Sequence, residues 1–340
     1  MSQRPTIIDV ARQAGVSKST VSRVLQGDAL VSLRSQNAVR EAILQLGYEQ
    51  NAVASSLRTE RTWMVMLATP DITNPFWSTV ARGAQDQLEA AGYSVVFANS
   101  DWDGERERLF LGTARRNRFD AILINPTVVG SQDLLATGMP TVVLGMRNDL
   151  QHFDTVGSDS FGGVMLALDH LYALGHRRIG FIRGQHKSGR GQSRHQAYQT
   201  FLQQKGLLYD PALVAEVPYE LERGYQAACK LLENADRPSA IFAANDILAI
   251  GAMHAAHERG LLVPHELSIV GMDDIPAAAM TLPGLTTVAK SKYETGRQAA
   301  IFLLERIARS GPNSPRRLFL PCHLVVRGST ATLQITENLR

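Results

Sequence analysis

Residues 6 to 25, TIIDVARQAGVSKSTVSRVL, hold two short helical patterns on either side of a glycine. Thr6 is a favourable helix N-cap, and Asp9, three residues later, can return a hydrogen bond to it. This pairing predicts a first helix over residues 7 to 13. Gly15 then supplies the backbone freedom that a tight turn between two helices requires.

The second helix of this stretch begins after Ser17, which can cap it. Apolar residues recur there at helical spacing and predict an inward face of Val21, Val24 and Leu25. The outward face is polar and presents Lys18, Ser19, Ser22 and Arg23. A third helix is predicted over residues 32 to 46, capped by Ser32 and stopped by Gly47. Its inward positions are Val39, Ala42, Ile43 and Leu46.

Three short helices, the second of which presents hydroxyls and cations, are typical of a helix-turn-helix unit, whose recognition helix enters the major groove of DNA. A three-helix packing module with a solvated polar face is the alternative. Residues 1 to 61 carry an excess of three positive charges, whereas the rest of the chain is formally neutral. A basic head on a neutral body favours the DNA-binding interpretation.

Composition places the chain among ordinary soluble proteins. Its 340 residues are 44% hydrophobic and 20% charged, and they suffice for two or three domains. No apolar run approaches the ~20 residues of a membrane helix, and the first twenty residues lack a secretory signal, so we expect a cytoplasmic protein. The two cysteines, Cys229 and Cys322, predict neither a disulfide framework nor a zinc site.

From Trp63 onward, short β-rich runs alternate with helical stretches. A first series extends from MVMLAT (64–69) to TVVLG (141–145), and a second from RRIGFI (177–182) to LSIVGMDD (267–274). Two successive series predict two doubly wound parallel sheets, whose ligands bind beyond the carboxyl ends of the strands. We therefore expect a pocket in the cleft between two lobes.

Polar or aromatic side chains follow the predicted strands and are candidates for ligand contact. In chain order they are Asp71, Asn74, Phe76, Trp77, Asn99, Asp101, Asn125, Arg147, Asp159, Arg190, Arg194, Asn245, Asp246 and Asp273. A helix cap or a loop explains any single one of them. Their recurrence at one predicted sheet edge indicates a binding site.

The opening stretch and LGYEQNAVASSLRT (46–59) together are similar to the head and hinge of the LacI/GalR family of bacterial transcriptional regulators. TPDITNPFW (69–77), AIFAANDILAIGAM (240–253) and LSIVGMDDIPAAAM (267–280) resemble the periplasmic-binding-protein-like core of that family. The resemblance covers essentially the whole chain.

The resemblance implies an N-terminal all-α helix-turn-helix head plus an α/β core of two lobes. Residues 1 to 48 are then the DNA-binding domain, 49 to 61 the hinge, and 62 to 340 the effector-binding and dimerisation core. The implied function is sequence-specific transcriptional regulation, with repression as the usual outcome and a small-molecule effector in the cleft. No cofactor or metal is implied.

The resemblance also assigns roles in the head. Base reading falls to residues of the second helix, namely Lys18, Ser19, Ser22 and Arg23, of which arginine can contact guanine in a bidentate manner. Phosphate and backbone contacts fall to Thr6, Ser17, Thr20, Asn51 and Arg58, which position the head without reading sequence.

Residues 51 to 58, NAVASSLR, are too short to form a stable isolated helix, and a flexible linker is one interpretation. The resemblance implies instead a hinge that becomes helical on operator DNA. Leu57 then occupies the position of a wedge that unstacks a base step, and Ala54 that of a small residue allowing close approach.

In the body, the resemblance places Asp159, Arg194, Asp246 and Asp273 at effector-contact positions, with Phe76 or Trp77 stacking on an apolar sugar face. Paired carboxylates and an arginine fork suit the hydroxyls of a carbohydrate. Lys290 stands where relatives often have glutamine.

The segment IRGQHKSGRGQSRH (182–195) is strongly basic. Together with Lys290 it predicts an effector that carries a negative charge, such as a sugar acid or a sugar phosphate. A solvated basic loop explains the same residues equally well.

One head reads only a half-site, so we expect a homodimer on a near-palindromic operator. The interface is expected on exposed helices such as 74 to 91 or 103 to 117, and no heptad run near residue 340 favours a tetramer.

A sugar-transport protein and a doubly wound enzyme are the alternative functions. Neither a signal sequence nor a phosphate-binding or nucleophile motif supports them. His254 and His257, with Glu258, have the spacing of a metal site, although surface histidines are the commoner explanation.

Overall fold

The computed structural model describes residues 5–25, 27, 28, 30–49, 61–184 and 192–334 of the chain. Its contacts divide the chain into two compact units, a head over Met1–Thr62 and a body over Trp63–Arg340.

The head contains the three predicted helices, α1 (Ile7–Gln13), α2 (Lys18–Leu25) and α3 (Leu33–Leu46). Their predicted caps are confirmed. The hydroxyl of Ser17 accepts a hydrogen bond from the Thr20 backbone N–H at 3.1 Å, and that of Ser32 accepts one from Ser35 at 3.3 Å. Gly47 ends α3 with a φ of 59°, which a residue with a side chain rarely adopts. The core between the helices is apolar and includes Val10, Ala11, Val21, Val39 and Ala42.

The body consists of two lobes, each built around a six-stranded sheet. Strands of the first lobe are β1 (Met64–Thr69), β2 (Ser94–Asn99), β3 (Ala121–Ile124), β4 (Thr141–Leu144), β5 (Asp154–Ser158) and β11 (Arg317–Leu320). Its helices are α4 (Pro75–Ala90), α5 (Gly104–Arg116), α6 (Ser131–Leu135) and α12 (Lys292–Ala308), and a 3-10 turn covers Asn148–Leu150. The sheet order is β11-β5-β4-β3-β1-β2, and all neighbours are parallel.

Strands of the second lobe are β6 (Ile179–Gly184), β7 (Val214–Val217), β8 (Ala240–Ala243), β9 (Ser268–Asp273), β10 (Thr286–Lys290) and β12 (Cys322–Val325). Its helices are α7 (Ser160–Ala173), α8 (Gln192–Gln204), α9 (Leu221–Leu232), α10 (Asp246–Glu258) and α11 (Pro276–Met280), and a 3-10 turn covers Pro211–Leu213. The sheet order is β12-β10-β9-β8-β6-β7. Strands β3, β4 and β8 are buried along their whole length, as expected where helices cover both faces of a parallel sheet.

The predicted pair of doubly wound parallel sheets is confirmed, and two features of the structure go beyond that prediction. Strand β12 runs antiparallel to β10 at the edge of the second sheet. Helix α12 and strand β11 return to the first lobe after most of the second lobe is complete. The chain therefore passes between the lobes three times, near Asp159, Ser291 and Pro321.

Candidate DNA and effector sites

The outward face of α2 is exposed as the sequence predicts. Lys18, Ser19 and Arg23 are exposed, and Ser22 is half-buried. In the described part of the head, Asp9 pairs with Arg12 at 3.3 Å, and no carboxylate pairs with Lys18 or Arg23. These two cations are therefore available to a polyanion.

Two of the predicted phosphate contacts also serve as helix caps. The backbone N–H and hydroxyl of Thr6 donate to the Asp9 carboxylate at 2.9 and 2.7 Å, and these hydrogen bonds hold the pKa of Asp9 below its usual value. The Ser17 hydroxyl lies 2.7 Å from that of Ser19 and 2.8 Å from that of Thr20. The remaining predicted contacts, Asn51, Ala54, Leu57 and Arg58, lie outside the described residues.

The body contains an inner cavity of about 170 Å³ between the two lobes, at the carboxyl ends of both sheets. From the first lobe it is lined by Asn74, Phe76, Trp77, Trp102, Asn125, Pro126, Thr127, Leu144, Gly145, Met146, Arg147, Gly157 and Ser158. Ser160 and Thr295, which follow two of the crossings between the lobes, also line it. From the second lobe it is lined by Ser193, Arg194, Tyr219, Asn245, Asp273 and Lys290.

Most of the predicted effector residues meet in this cavity. They are Asn74, Phe76, Trp77, Asn125, Arg147, Arg194, Asn245, Asp273 and Lys290. Asp159 and Asp246 are not among the residues that line it. The Asp159 carboxylate caps α7 by accepting from the Gly162 N–H at 2.9 Å, whereas Asp246 is completely buried behind the cavity. Arg190 lies outside the described residues.

The charged centre of the cavity is an ion pair between Lys290 and Asp273. The Lys290 Nζ lies 2.8 Å from Oδ1 of Asp273, and their side chains are only 3% and 8% exposed. Burial lowers the pKa of Lys290, against the opposing effect of the Asp273 charge. The same ammonium lies 5.3 Å from the centre of the Phe76 ring, so the pair is packed against an aromatic face.

The backbone that carries Asp273 is strained and held by several contacts. Asp273 and Asp274 have φ values of 115° and 54°, which non-glycine residues rarely adopt. The Lys292 ammonium donates to both of their carbonyl oxygens, at 2.6 and 2.8 Å, and Arg327 donates to the Asp274 carboxylate at 2.6 Å. These contacts aim the Asp273 carboxylate at the cavity.

Arg194 lies in the first turn of α8 and donates from Nη1 to the Tyr219 hydroxyl at 2.8 Å. Its Nε is buried, and no described atom accepts a hydrogen bond from it. The Tyr219 ring lies against Gly184, where any Cβ would stand 1.9 Å from a ring carbon. Trp102 of the first lobe stacks on Tyr219, with ring centres 5.2 Å apart and planes 20° apart.

The other polar groups of the cavity are fixed by their own elements. Arg147 makes a two-pronged ion pair with Asp149 and donates to the Pro126 and Val129 carbonyls at 3.0 and 2.8 Å. Asn74 and Asn245 cap α4 and α10 through their amide oxygens. Because each cap uses only the oxygen, the amide N–H groups remain as potential donors.

A second, outer cavity of about 450 Å³ adjoins the first and shares Trp102, Thr127 and Tyr219 with it. Asp71, a predicted contact, lines this outer cavity rather than the inner one. Asp101 and Glu220 also line it, so its wall is acidic. The stacked rings of Trp102 and Tyr219 thus border both cavities.

Sequence reasoning missed several cavity residues, namely Trp102, Thr127, Ser158, Ser160, Ser193 and Tyr219. Tyr219 follows β7 by two residues, so the strand-end rule could have found it. Trp102 follows the predicted strand-end residues Asn99 and Asp101. No described helix is long and apolar enough to cross a membrane, and no group of three potential ligands for a metal ion occurs among the described residues.

Comparison with known proteins supports the same division into head and body. Residues 6–51 match the family model described as bacterial regulatory proteins, lacI family, and residues 168–330 match the periplasmic binding protein-like domain. The HTH-type transcriptional repressor PurR of Haemophilus influenzae (strain PittEE) is 33% identical over 96% of this chain and 99% of its own length.

Two solved structures show the likeness in three dimensions. A lac repressor dimer bound to operator and the anti-inducer ONPF is 26% identical, with a TM-score of 0.87 over 97% of this chain and all of that one. A complex of the transcriptional regulator CelR with cellobiose is 31% identical, with a TM-score of 0.73 over 96% of this chain and all of that one.

A helix-turn-helix head with a polar outward face, followed by a two-lobed body with a polar cavity, defines a ligand-responsive, DNA-binding transcriptional regulator. The chain belongs to the lacI family of bacterial regulatory proteins.

Proposed function

We propose that this chain represses transcription by binding a near-palindromic operator as a homodimer, under the control of a sugar or sugar derivative bound in the inner cavity. The observation that carries the proposal is the coexistence of an unpaired cationic face on α2 with a polar cavity at the carboxyl ends of both sheets. One head reads a half-site, and two-fold symmetry matches a palindrome. Operator DNA lies in the bacterial cytoplasm, where the protein would act.

In the head, we assign base contacts to Lys18, Ser19, Ser22 and Arg23, and phosphate contacts to Thr6, Ser17, Thr20, Asn51 and Arg58. Exposure of Lys18 and Arg23 supports the first assignment. Leu57 and Ala54 are proposed as the wedge and close-approach residues of a hinge over 49 to 61, between a DNA-binding domain over 1 to 48 and a core over 62 to 340.

In the cavity, we assign effector contacts to the nine predicted residues that line it, together with Ser193 and Tyr219. Amide and hydroxyl groups suit sugar hydroxyls, and Trp77 and Phe76 offer apolar ring faces. We propose that the ligand binds without turnover, since Asp273 and Asp274 each carry an ion pair and neither is free to act as a base. Recovery of the ligand unchanged after incubation is the expected result.

Sequence-specific operator binding is tested by selecting bound sequences from a random DNA pool at moderate salt. The selection is run with and without a mixed extract of sugars and sugar acids. Recovery of one near-palindrome is expected, and its enrichment or loss with the extract gives the direction of effector action. If no sequence is enriched in either condition, the proposed function is wrong.

Arg23→Ala tests base reading by α2. A bidentate arginine contributes about 1–3 kcal/mol of discrimination against a wrong base, so this variant should lose about 10- to 100-fold in preference for operator over random DNA. The matched control is Arg40→Ala, which removes the same charge from the exposed surface of α3. Equal losses of preference in both variants, measured by fluorescence anisotropy, would contradict the assignment.

A further inference from the structure

The charges that line the inner cavity do not balance. Its charged residues are Arg147, Arg194, Asp273 and Lys290. Arg147 is neutralised by Asp149 within its own lobe, and Lys290 and Asp273 neutralise each other at 2.8 Å. Arg194 is left with one neutral partner, the Tyr219 hydroxyl.

A buried cation is normally paired with a counterion at hydrogen-bonding distance, whereas the Asp273 charge acts on Arg194 from beyond ion-pair distance. No described carboxylate lies within ion-pair distance of Arg194, and its Nε has no described acceptor although it is buried. The sequence between Gly184 and Gln192, QHKSGRG, contains neither aspartate nor glutamate, so it holds no carboxylate for Arg194.

Lys290 and Arg194 compete for one carboxylate. Both cations interact with Asp273, and the charge of Arg194 opposes that of Lys290. Two cations therefore share one carboxylate. An anion placed near both would relieve their repulsion and satisfy the Nε of Arg194.

We propose that the effector is a polyhydroxylated acid whose single carboxylate or phosphate binds Arg194 beside the Lys290–Asp273 pair. This inference rests on the proposed function, because it concerns the ligand of the same cavity. Arginine presents its N–H groups as a planar fork that matches either acid group.

The two cavities differ in their cations, and this difference fixes the orientation of such a ligand. The outer cavity is lined by Asp71, Asp101 and Glu220, of which Asp101 pairs with Arg106 and Glu220 with Arg223. Arg194 and Lys290 line the inner cavity, so an acid group is attracted to the inner side of the Trp102–Tyr219 stack. The acid end therefore points inward. The hydroxylated remainder meets Asn74, Asn125 and Asn245.

The test is titration of the full-length protein with D-gluconate, D-glucose 6-phosphate and D-glucose, followed by Trp77 and Trp102 fluorescence and by calorimetry. Inorganic phosphate serves as the smallest probe of the anion subsite and should compete with any acid that binds. We expect at least one of the two acids to bind about 10- to 100-fold more tightly than glucose, and the one that binds identifies the acid group.

Arg194→Gln should abolish the preference for acids, and Arg194→Lys should retain part of it. Lys290→Gln should weaken acid binding as well, because it removes the second cation. Lys230→Gln, on the exposed surface of α9, is the matched control and should change nothing.

Glucose binding as tight as that of both acids would overturn the proposal. So would failure of both acids and of phosphate to bind at millimolar concentration, or an acid preference that survives in Arg194→Gln. The selected operator sequence would be unaffected by any of these results, so failure of the anion proposal is distinguishable from failure of the proposed function.

Discussion

The Asp246 carboxylate is enclosed in the second lobe, where it accepts hydrogen bonds from the Thr287 hydroxyl at 2.5 Å and the Ile275 N–H at 2.8 Å. Burial, reinforced by the negative charge of Asp273, raises its pKa to about 7. The group stands behind the loop that presents Asp273. We therefore regard Asp246 as a positioning residue for the cavity.

Asp246→Asn should change how stability depends on pH. The folded-state pKa lies above the usual 3.8, so the stabilising contribution of this group is complete below about pH 4 and is lost as the pH rises through about 7. Between pH 5 and 8 the free energy of unfolding of the native chain should fall by about 2 kcal/mol relative to the variant, whose amide does not titrate. The measurement is urea unfolding of both proteins across this pH range. The prediction is wrong if the free energies of unfolding of the native chain and of Asp246→Asn change by the same amount with pH.

For single residues, the sequence predicted which positions lie at the sheet edge better than it predicted where their side chains point. Asn125 and Asn245 follow strands, Asp273 ends one, and all three line the cavity, as predicted. Asp159 follows a strand too, but its carboxylate turns back to the start of its own helix, and a strand-end rule cannot separate these cases. The stack of Trp102 on Tyr219 joins two lobes, so no local sequence pattern predicts it.

Helices α4 and α12 pack with their backbones in close approach. A Cβ at Gly296 would lie 1.9 Å from the Val80 carbonyl oxygen, and one at Gly83 would lie 2.0 Å from that of Tyr293. Both distances are below any real contact, so only glycine permits this helix spacing. The pair covers one face of the first sheet.

Gly296→Ala should therefore destabilise the body by at least ~2 kcal/mol, because neither backbone can move without disturbing the packed face. Gly112→Ala makes the same substitution in α5, where the new methyl meets only the end of the Arg116 side chain. It should stabilise by about 0.5–1 kcal/mol through helix propensity. Chemical denaturation of the two variants measures both effects, and a shift of the same sign in each would refute this account of the packing.

Among the elements, those with strong caps or long apolar runs were predicted closely. Helix α3 begins after Ser32 and ends at Gly47, as the sequence indicated. Strand β5, DTVGS, was predicted only indirectly, through Asp159 at its end, because its burial comes from its neighbours β4 and β11 and not from its own composition. The antiparallel direction of β12 likewise depends on the crossing near Pro321.

At the scale of the whole molecule, Asp154 connects parts of the first lobe that are distant in the chain. Its carboxylate, at the start of β5, is fully buried and pairs with Arg306 of α12 at 2.7 Å and with Arg316 at 2.8 Å. The first lobe is thus completed by residues some 150 positions later. Because of the three crossings, the chain adds edge strand β11 to the first sheet, and edge strand β12 to the second, only after it has passed through the other lobe.

We expect the body to unfold as one cooperative unit. Asp154→Asn removes one partner of a buried ion pair and should cost about 3 kcal/mol. If the lobes are coupled, amide hydrogen exchange in β8 and β9 of the second lobe should accelerate together with exchange in β4 and β5 of the first. Acceleration confined to the first lobe would show that the lobes unfold independently.

The return of α12 and β11 to the first lobe also bears on synthesis. A ribosome releases β1 to β5 early, but the edge strand over Arg317–Leu320 and the helix over Lys292–Ala308 emerge only after most of the second lobe has been translated. Until then the nascent first sheet has an unpaired edge beside β5 and an uncovered apolar face, both of which favour aggregation. We therefore expect a growing chain of this design to need protection from aggregation during translation, because its first lobe is among the last parts to be finished.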